Sequence, residues 1–216
     1  MERKETVLVT ISRQFGSGGA YIGQSIAKRL GYEYVDRGIL QQAARRLGEE
    51  ESRLSAREER VTGFWEGFFR AFSTGIPEAG YVPPPIRPVY DKDLFDAEAE
   101  SINEIADIRD AVIIGRGGFH VLKGRPGLVK VFIHANREFR VRRAMEVYGI
   151  KDIKEAASLL DDLDRERRRF IHTMTGVDWT DARNYDLCID TGVVDFPAAE
   201  EMVLKLVECR KKRLGL

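Results

Sequence analysis

VLVTISRQFGSGGAYIGQSIAKRL, residues 7–30 of the chain, contains a strand signal, a glycine-rich turn and a helix signal in succession. Residues 7–12 (VLVTIS) are short, mostly apolar and β-branched, which predicts a buried strand. The turn GSGG follows at residues 16–19. Ile22, Ile26 and Leu30 then recur at helical spacing, and Gly31 supplies a C-terminal stop. We therefore expect a strand that turns sharply into a helix.

Outward from this segment, strand and helix signals alternate along the chain. Such alternation favours parallel strands in a three-layer α/β sandwich, with ligands at the carboxyl ends of the strands. Residues 49–90 break the pattern with the aromatic run FWEGFF and a Pro-rich run. This region predicts an inserted substrate-side segment or, equally, an aromatic helix packed on the core or on a second subunit. The further strands are predicted at 33–35, 111–114, 128–133 and 185–190, and helices at 39–47 and 91–106.

Length and composition indicate one globular domain with an inserted segment. The chain has 216 residues, of which 43% are hydrophobic and 32% charged, and 35 basic side chains balance 35 acidic ones. Net neutrality gives no reason to expect nucleic acid or an anionic membrane as a partner, and the apolar runs are too short to span a bilayer. Two cysteines, Cys188 and Cys209, form no disulfide framework or zinc motif, which fits a reducing cytoplasm. Cys188 is expected to be a small core residue.

The glycine turn is a candidate anion site. A turn between a strand and a helix exposes backbone N–H groups and the positive end of the helix dipole, and phosphate is the usual ligand. Residues 13–20 match the P-loop signature G-x-x-x-x-G-K-[ST] only in part. Arg13 replaces its first glycine, Gly19 its lysine and Ala20 its hydroxyl residue.

A dinucleotide-binding fingerprint is the competing interpretation of the same turn. Gly16 and Gly18 are followed by Asp36, twenty residues after Gly16, as that fingerprint requires. Tyr21, however, stands where its third glycine should be. The sequence therefore favours phosphate binding over hydride chemistry.

Arginine outnumbers lysine by 25 to 10, and its planar fork suits phosphate. Placed at 100° intervals, Arg167 falls within the apolar arc of residues 159–171. A buried arginine needs a partner, which could be Asp164 three residues earlier or a bound phosphate.

Three further arginines are candidates for the same role. The same count places Arg140 and Arg143 on the apolar face of their helix. Arg116, within IIGRGG at 113–118, follows a predicted strand and is therefore expected at the carboxyl edge of the sheet. Arg116 is therefore either a ligand-binding residue or a helix cap. The arginines predicted to be solvated are Arg142, Arg165, Arg168 and Arg169.

Several segments together resemble the cytidylate kinase-like family, a nucleoside monophosphate kinase branch of the P-loop kinases. They are TIS at 10–12, GSGG at 16–19, YVDRG at 34–38, IGRG at 114–117, DRER at 164–167 and YDLCID at 185–190. The resemblance implies a three-layer P-loop kinase fold with a five-stranded parallel sheet in a single domain over 1–216. Residues 37–108 would form an acceptor-binding helical insertion, and residues 150–184 a lid region.

The resemblance also implies a cytoplasmic enzyme that moves the γ-phosphate of ATP, with Mg²⁺, to CMP, dCMP or a related monophosphate. A second copy of the chain is the one macromolecular partner expected, and nucleic acid and membrane are not. Catalysis would fall to Arg167, Arg116, Arg140, Arg143 and Asp164. The ATP phosphates would contact Arg13, Gly16, Ser17, Gly18 and Gly19. The acceptor would contact Asp36, Arg37, Gly38 and Arg116, and Asp36 or Asp190 would hold the metal ion through water.

The chain also departs from the pattern of that family. A cytidylate kinase has Lys at the position of Gly19, Thr near Tyr21, Arg in place of Gln42, and acids in place of Ile114 and Gly117. The alternative hypothesis is therefore a nucleotide-binding regulatory protein with a degenerate P-loop and little or no turnover. A nucleic-acid-binding module is a third, disfavoured by the net charge.

Overall fold

The computed structural model describes residues 5–36, 38, 40 and 92–216, and the strands found in this part form one parallel sheet. Their order across the sheet is β2-β3-β1-β4-β5, so β1 lies at the centre. Every pair of neighbours runs parallel, as the alternation of strands and helices predicts. The strands are β1 Leu8–Arg13, β2 Glu33–Val35, β3 Ala111–Ile114, β4 Leu128–His134 and β5 Leu187–Asp190.

Helix ends follow from local sequence. The N-terminal caps Asn136, Asp152 and Asp195 each accept a backbone N–H bond through the side chain, and glycines in the left-handed conformation end the helices at Gly31 and Gly176. The helices are α1 Gly19–Leu30, α2 Lys92–Ile108, α3 Gly118–Val121, α4 Arg137–Tyr148, α5 Ile153–Thr175 and α6 Phe196–Leu214, with a 3-10 turn at Ala182–Asn184.

The side-chain alternation of the strands produces the layers. In β1, Val9 and Ile11 pack in the cluster that contains residues of α1 and α6, whereas Leu8 packs in the cluster that contains residues of α2. β3 divides in the same way, with Val112 on the first side and Ile113 on the second. Helices therefore cover both faces of the sheet, and the strand ends at its carboxyl edge remain available for a site.

The strand predictions are confirmed, with small changes at two ends. β4 extends one residue beyond 133, and β5 begins only at Leu187. Tyr185 instead packs among aromatic rings, and its hydroxyl donates to the Trp179 carbonyl (2.6 Å). The expectation that Cys188 is a core residue is wrong: its side chain is exposed, because β5 is an edge strand.

Some predictions fall outside the described residues. These are the helix at 39–47, apart from the isolated position 40, the region 49–90, and Arg37. Helix α2, at Lys92–Ile108, lies within the range 37–108 of the expected insertion. Among the described helices, none combines the length and the apolarity that crossing a bilayer requires.

Candidate active site

The glycine-rich loop joins β1 to α1 at the carboxyl edge of the central strand. Gly16 and Gly18 have φ angles of +78° and +82°, a conformation that favours glycine. Neighbouring atoms also exclude a side chain, since an added Cβ would lie 2.6 Å from the Arg140 carbonyl oxygen at Gly16 and 2.5 Å from the Phe196 ring at Gly18. The loop thus makes a tight turn that packs closely against α4 and α6.

Hydroxyl groups fix this loop in place. The Ser17 hydroxyl donates to the carbonyls of Gln14 (2.8 Å) and Ile133 (3.1 Å), and the Thr191 hydroxyl donates to the Ser17 carbonyl (2.8 Å). Ser17 therefore holds the loop through its side chain. The N–H groups of Gly18, Gly19 and Ala20 donate to no acceptor within the described chain. They are the free donors that a helix N-terminus offers to an anion.

Asp164 on α5 ties the loop to two arginines. Its Oδ1 accepts from the Phe15 amide (2.8 Å) and from Arg167 Nη1 (3.2 Å), and its Oδ2 accepts from Arg140 Nη1 (2.5 Å). Arg140 is buried and also donates to the carbonyls of Ala135 and Phe15. Arg140 therefore braces the loop, and one carboxylate serves two guanidinium groups.

Arg167 lies on the side of α5 that meets the loop. Its Nη1 also donates to the Arg13 carbonyl (3.0 Å), and its side chain is 20% exposed. Burial, and then the charge of Arg13, lower the pKa of Arg167 to about 9, while Asp164 acts in the opposite direction. Arg167 is still protonated at neutral pH, so two cations stand close together here. Arg165, Arg168 and Arg169 on the same helix are exposed, as the helical phase predicts.

Arg13 crosses from the start of α1 to the end of β3. An added Cβ on Gly19 would lie 2.6 Å from Arg13 Cβ, and one on Gly115 would overlap Arg13 Nη1. Burial lowers the pKa of Arg13, and the charge of Asp36 opposes that shift. The Arg13 side chain thus reaches the carboxyl edge between β1 and β3.

Arg116 is held by an ion pair. Its Nε donates to Glu98 Oε2 (2.6 Å), its Nη2 donates to the same oxygen, and its guanidinium lies 4.4 Å from the centre of the Phe170 ring. Both side chains are buried. Arg116 has a φ of +52° between two left-handed glycines, Gly115 and Gly117, a conformation that costs a non-glycine residue about 1–2 kcal/mol.

The sequence interpretation missed Glu98. It follows Phe95 by three residues and precedes Ile102 by four, so it lies on the buried face of α2 together with these two side chains. The test of helical phase that separates Arg167 from its neighbours would have found it. A buried carboxylate on an apolar face indicates a cationic partner.

A small cavity of about 60 Å³ lies where these arginines meet. Arg13, Arg116 and Arg167 border it with their charged side chains, and Phe170 and Trp179 form part of its apolar wall. Low polarity around a positive group strengthens its attraction for an anion. The cavity is thus suited to a small, multiply charged group such as phosphate.

A larger cavity of about 420 Å³ lies between α4 and the start of α6. Arg143 stands over the Phe196 ring, 4.5 Å from its centre, and the same ring packs on Gly18. Burial lowers the pKa of Arg143. Because Phe196 lines this cavity and packs on Gly18, the cavity adjoins the glycine loop, on the side away from Arg116. It is lined by Phe139, Arg142, Arg143, Glu146, Thr191, Asp195 and Phe196.

The two predicted metal-associated acids lie far apart. Asp36 follows β2 and Asp190 ends β5, and these strands occupy opposite edges of the sheet, about 19 Å apart at the usual strand spacing. Asp190 Oδ1 accepts the Gly192 amide (2.8 Å), and Gly38 lies beside Asp36. Among the described residues no cluster of three His, Cys, Asp or Glu could hold a metal ion.

Comparison with known proteins identifies the family. The model of the cytidylate kinase-like family matches residues 8–193. The chain belongs to this family. A curated relative, the cytidylate kinase of Thermoplasma volcanium, is 27% identical over 199 residues, covering 91% of this chain and 87% of the relative.

Solved structures show the same fold for this family member. An uncharacterized protein from Eubacterium ventriosum matches with a TM-score of 0.70 at 21% identity, covering 94% of this chain and 99% of the other. Shikimate kinase from Bacteroides thetaiotaomicron matches with a TM-score of 0.50 at 14% identity, covering 94% and 98%. The predicted fold class, an α/β kinase fold with a five-stranded parallel sheet, is thereby confirmed.

Proposed function

We propose that the chain transfers the γ-phosphoryl group of Mg·ATP to a nucleoside monophosphate, with CMP and dCMP as the first candidates. Family membership supports a nucleotide kinase, and the relative from Thermoplasma volcanium suggests the cytidine base. The observation that carries the proposal is the meeting of Arg13, Arg116 and Arg167 around one small cavity beside the glycine loop. The free thiols of Cys188 and Cys209 are compatible with the reducing cytoplasm that we propose for it.

The two cavities divide the substrates between the two sides of the loop. The larger cavity, next to Phe196 and Gly18, has the size of a small-molecule site and would take the nucleoside of ATP. From there its phosphates would pass over the free N–H groups at the start of α1 toward the small cavity. The acceptor phosphate would approach from the side of Arg116 and Asp36, at the ends of β3 and β2.

Positioning and charge neutralisation are the main demands of this reaction. A phosphate oxygen of the acceptor forms a bond to the γ-phosphorus, while the bond to the β–γ bridging oxygen breaks and its electron pair leaves with ADP. That acceptor oxygen is already ionised, so no side chain has to remove a proton. In the proposed mechanism Arg167 and Arg13 donate to the oxygens of the transferring group, where negative charge spreads in the transition state.

A steady-state assay tests the proposal directly. The chain is incubated with Mg·ATP and, separately, with CMP, dCMP, UMP, AMP and GMP, and nucleoside diphosphates are separated by chromatography. We expect at least one acceptor to yield its diphosphate together with an equal amount of ADP. ATP binding by calorimetry without any diphosphate would instead support a regulatory nucleotide-binding protein. Absence of ATP binding would reject both functions.

A further inference from the structure

Resting on the proposed function, we propose that Arg13 and Gly19 are an exchanged pair, in which Arg13 supplies the phosphate-binding cation that a P-loop draws from lysine. In the P-loop signature the first position is glycine and the seventh is lysine. This chain has arginine at the first position, residue 13, and glycine at the seventh, residue 19. The cation of this loop therefore lies at the end of the strand and not at the start of the helix.

Steric exclusion between the two positions supports the exchange. An added Cβ on Gly19 would lie 2.6 Å from Arg13 Cβ and 3.1 Å from its Cγ. Carbon atoms that are not bonded do not approach so closely, because dispersion contact is optimal near ~3.5–4.0 Å. Residues 13 and 19 therefore cannot both carry a large side chain on this backbone. Gly19 has an ordinary backbone conformation, so this contact accounts for the glycine and a positive φ angle does not.

Three other arginines near the loop have protein partners of their own. Arg140 donates to two carbonyls and to Asp164, Arg116 donates twice to Glu98, and Arg143 stacks on Phe196. By contrast, no nitrogen of the Arg13 guanidinium donates a hydrogen bond to any of the residues that the structure describes. All the donors of the Arg13 guanidinium are thus available to a phosphate.

Charge supports the same assignment. Arg13 lies near both Arg167 and Arg116, and each of these two charges disfavours a further cation beside it. Asp36 offsets part of the repulsion at Arg13, and Asp164 offsets part of it at Arg167. A polyphosphate between Arg13 and Arg167 would relieve the remainder, since charge-assisted and bidentate hydrogen bonds to phosphate are strong.

A double-mutant cycle tests the exchange. The variants are Arg13→Gly, Gly19→Lys and the double variant, which restores both signature residues. We expect each single variant to lower kcat/KM for Mg·ATP at least about 100-fold, one by losing the cation and the other by displacing Arg13. The double variant should recover at least about tenfold over either single variant, because the lysine then has space. Arg168→Ala, an exposed arginine on α5, is the matched control and should match the wild type.

Binding of inorganic tripolyphosphate, measured by calorimetry, gives a readout that does not need turnover. The affinity should follow the same pattern across the cycle, so the exchange can be tested even if the wild type forms no diphosphate and the proposed function fails. Gly19→Ala adds only the excluded Cβ and should weaken tripolyphosphate binding about tenfold, and circular dichroism checks that each variant is folded. Wild-type affinity in Gly19→Ala, or a double variant that binds no better than the weaker single variant, would overturn the exchange.

Discussion

Two clusters of charged side chains lie at the same edge of the sheet and are built differently. The loop cluster consists of Arg13, Arg140 and Arg167, and the carboxylate of Asp164 accepts hydrogen bonds from the last two. In the second cluster, Arg116 donates twice to the carboxylate of Glu98. The loop cluster therefore keeps a surplus of positive charge, whereas the second pairs one guanidinium with one carboxylate.

This difference separates the residues that attract an anion from those that shape its site. A surplus of cations with little access to water is costly until an anion binds. The Arg116–Glu98 pair carries no such surplus, and it instead fixes a guanidinium group in a strained backbone segment between Gly115 and Gly117. We expect the loop cluster to control binding and turnover, and the pair to control stability.

The largest expected effect comes from Arg167→Ala. Losing a guanidinium that faces the transferring group should lower kcat by about 100- to 1,000-fold, or ~3–4 kcal/mol. The melting temperature should change little, because Arg167 is only one of two arginines bonded to Asp164. Steady-state kinetics and thermal unfolding measure the two quantities. Arg168→Ala serves as the control, and a similar, modest decrease in kcat for both variants would assign Arg167 a structural role.

Removing the charge of the second cluster should act on stability. Glu98→Gln leaves Arg116 buried without its carboxylate, and we expect a loss of about 3 kcal/mol in the free energy of unfolding. Urea denaturation measures this loss. Asp96→Asn, in an exposed pair with Lys92 on the same helix, should change nothing measurable. Equal stability of the two variants would contradict the role assigned to the buried pair.

Asp164→Asn should be milder and should respond to anions. The variant leaves Arg140 and Arg167 without a carboxylate and should lose about 2 kcal/mol of unfolding free energy in anion-free buffer. Added tripolyphosphate should raise its melting temperature more than that of the wild type, because the anion takes over part of the carboxylate's role. The same addition should not rescue Glu98→Gln more than the wild type. Equal rescue of both variants would remove the distinction between the clusters.

The smallest effect concerns the larger cavity. Arg143→Met removes the cation above Phe196 and should raise the KM for ATP about three- to tenfold, roughly 1 kcal/mol, with kcat unchanged. Arg137→Met, on the exposed side of the same helix, is the control. An unchanged KM for ATP in Arg143→Met would place the nucleoside of ATP elsewhere.

Local signals were sufficient to predict most of the fold. Each predicted strand among the described residues is present, because apolar β-branched runs and glycine stops are properties of neighbouring residues. The exposure of Cys188 could not be predicted in this way, since it depends on β5 lying at the edge of the sheet. The order of the strands is likewise decided by tertiary packing.

The same limit applies to the site. The Asp164–Arg167 contact could be anticipated because the two residues lie three apart on one helix. The pairs Arg140–Asp164 and Arg116–Glu98 join residues 24 and 18 positions apart on different elements, so they depend on how those elements pack. Helical phase indicates that such a side chain needs a partner, but it does not identify the partner.

The position of Asp164 also has a mechanical consequence. Because Asp164 receives the Phe15 amide and Arg140, and Arg167 on the same helix donates to the Arg13 carbonyl, withdrawing α5 by the reach of a hydrogen bond would break these three contacts in one step. No intermediate is then possible in which α5 has moved away while Asp164 still holds the glycine turn. Opening and closing around a nucleotide would then be concerted, with the turn and the long helix changing state together.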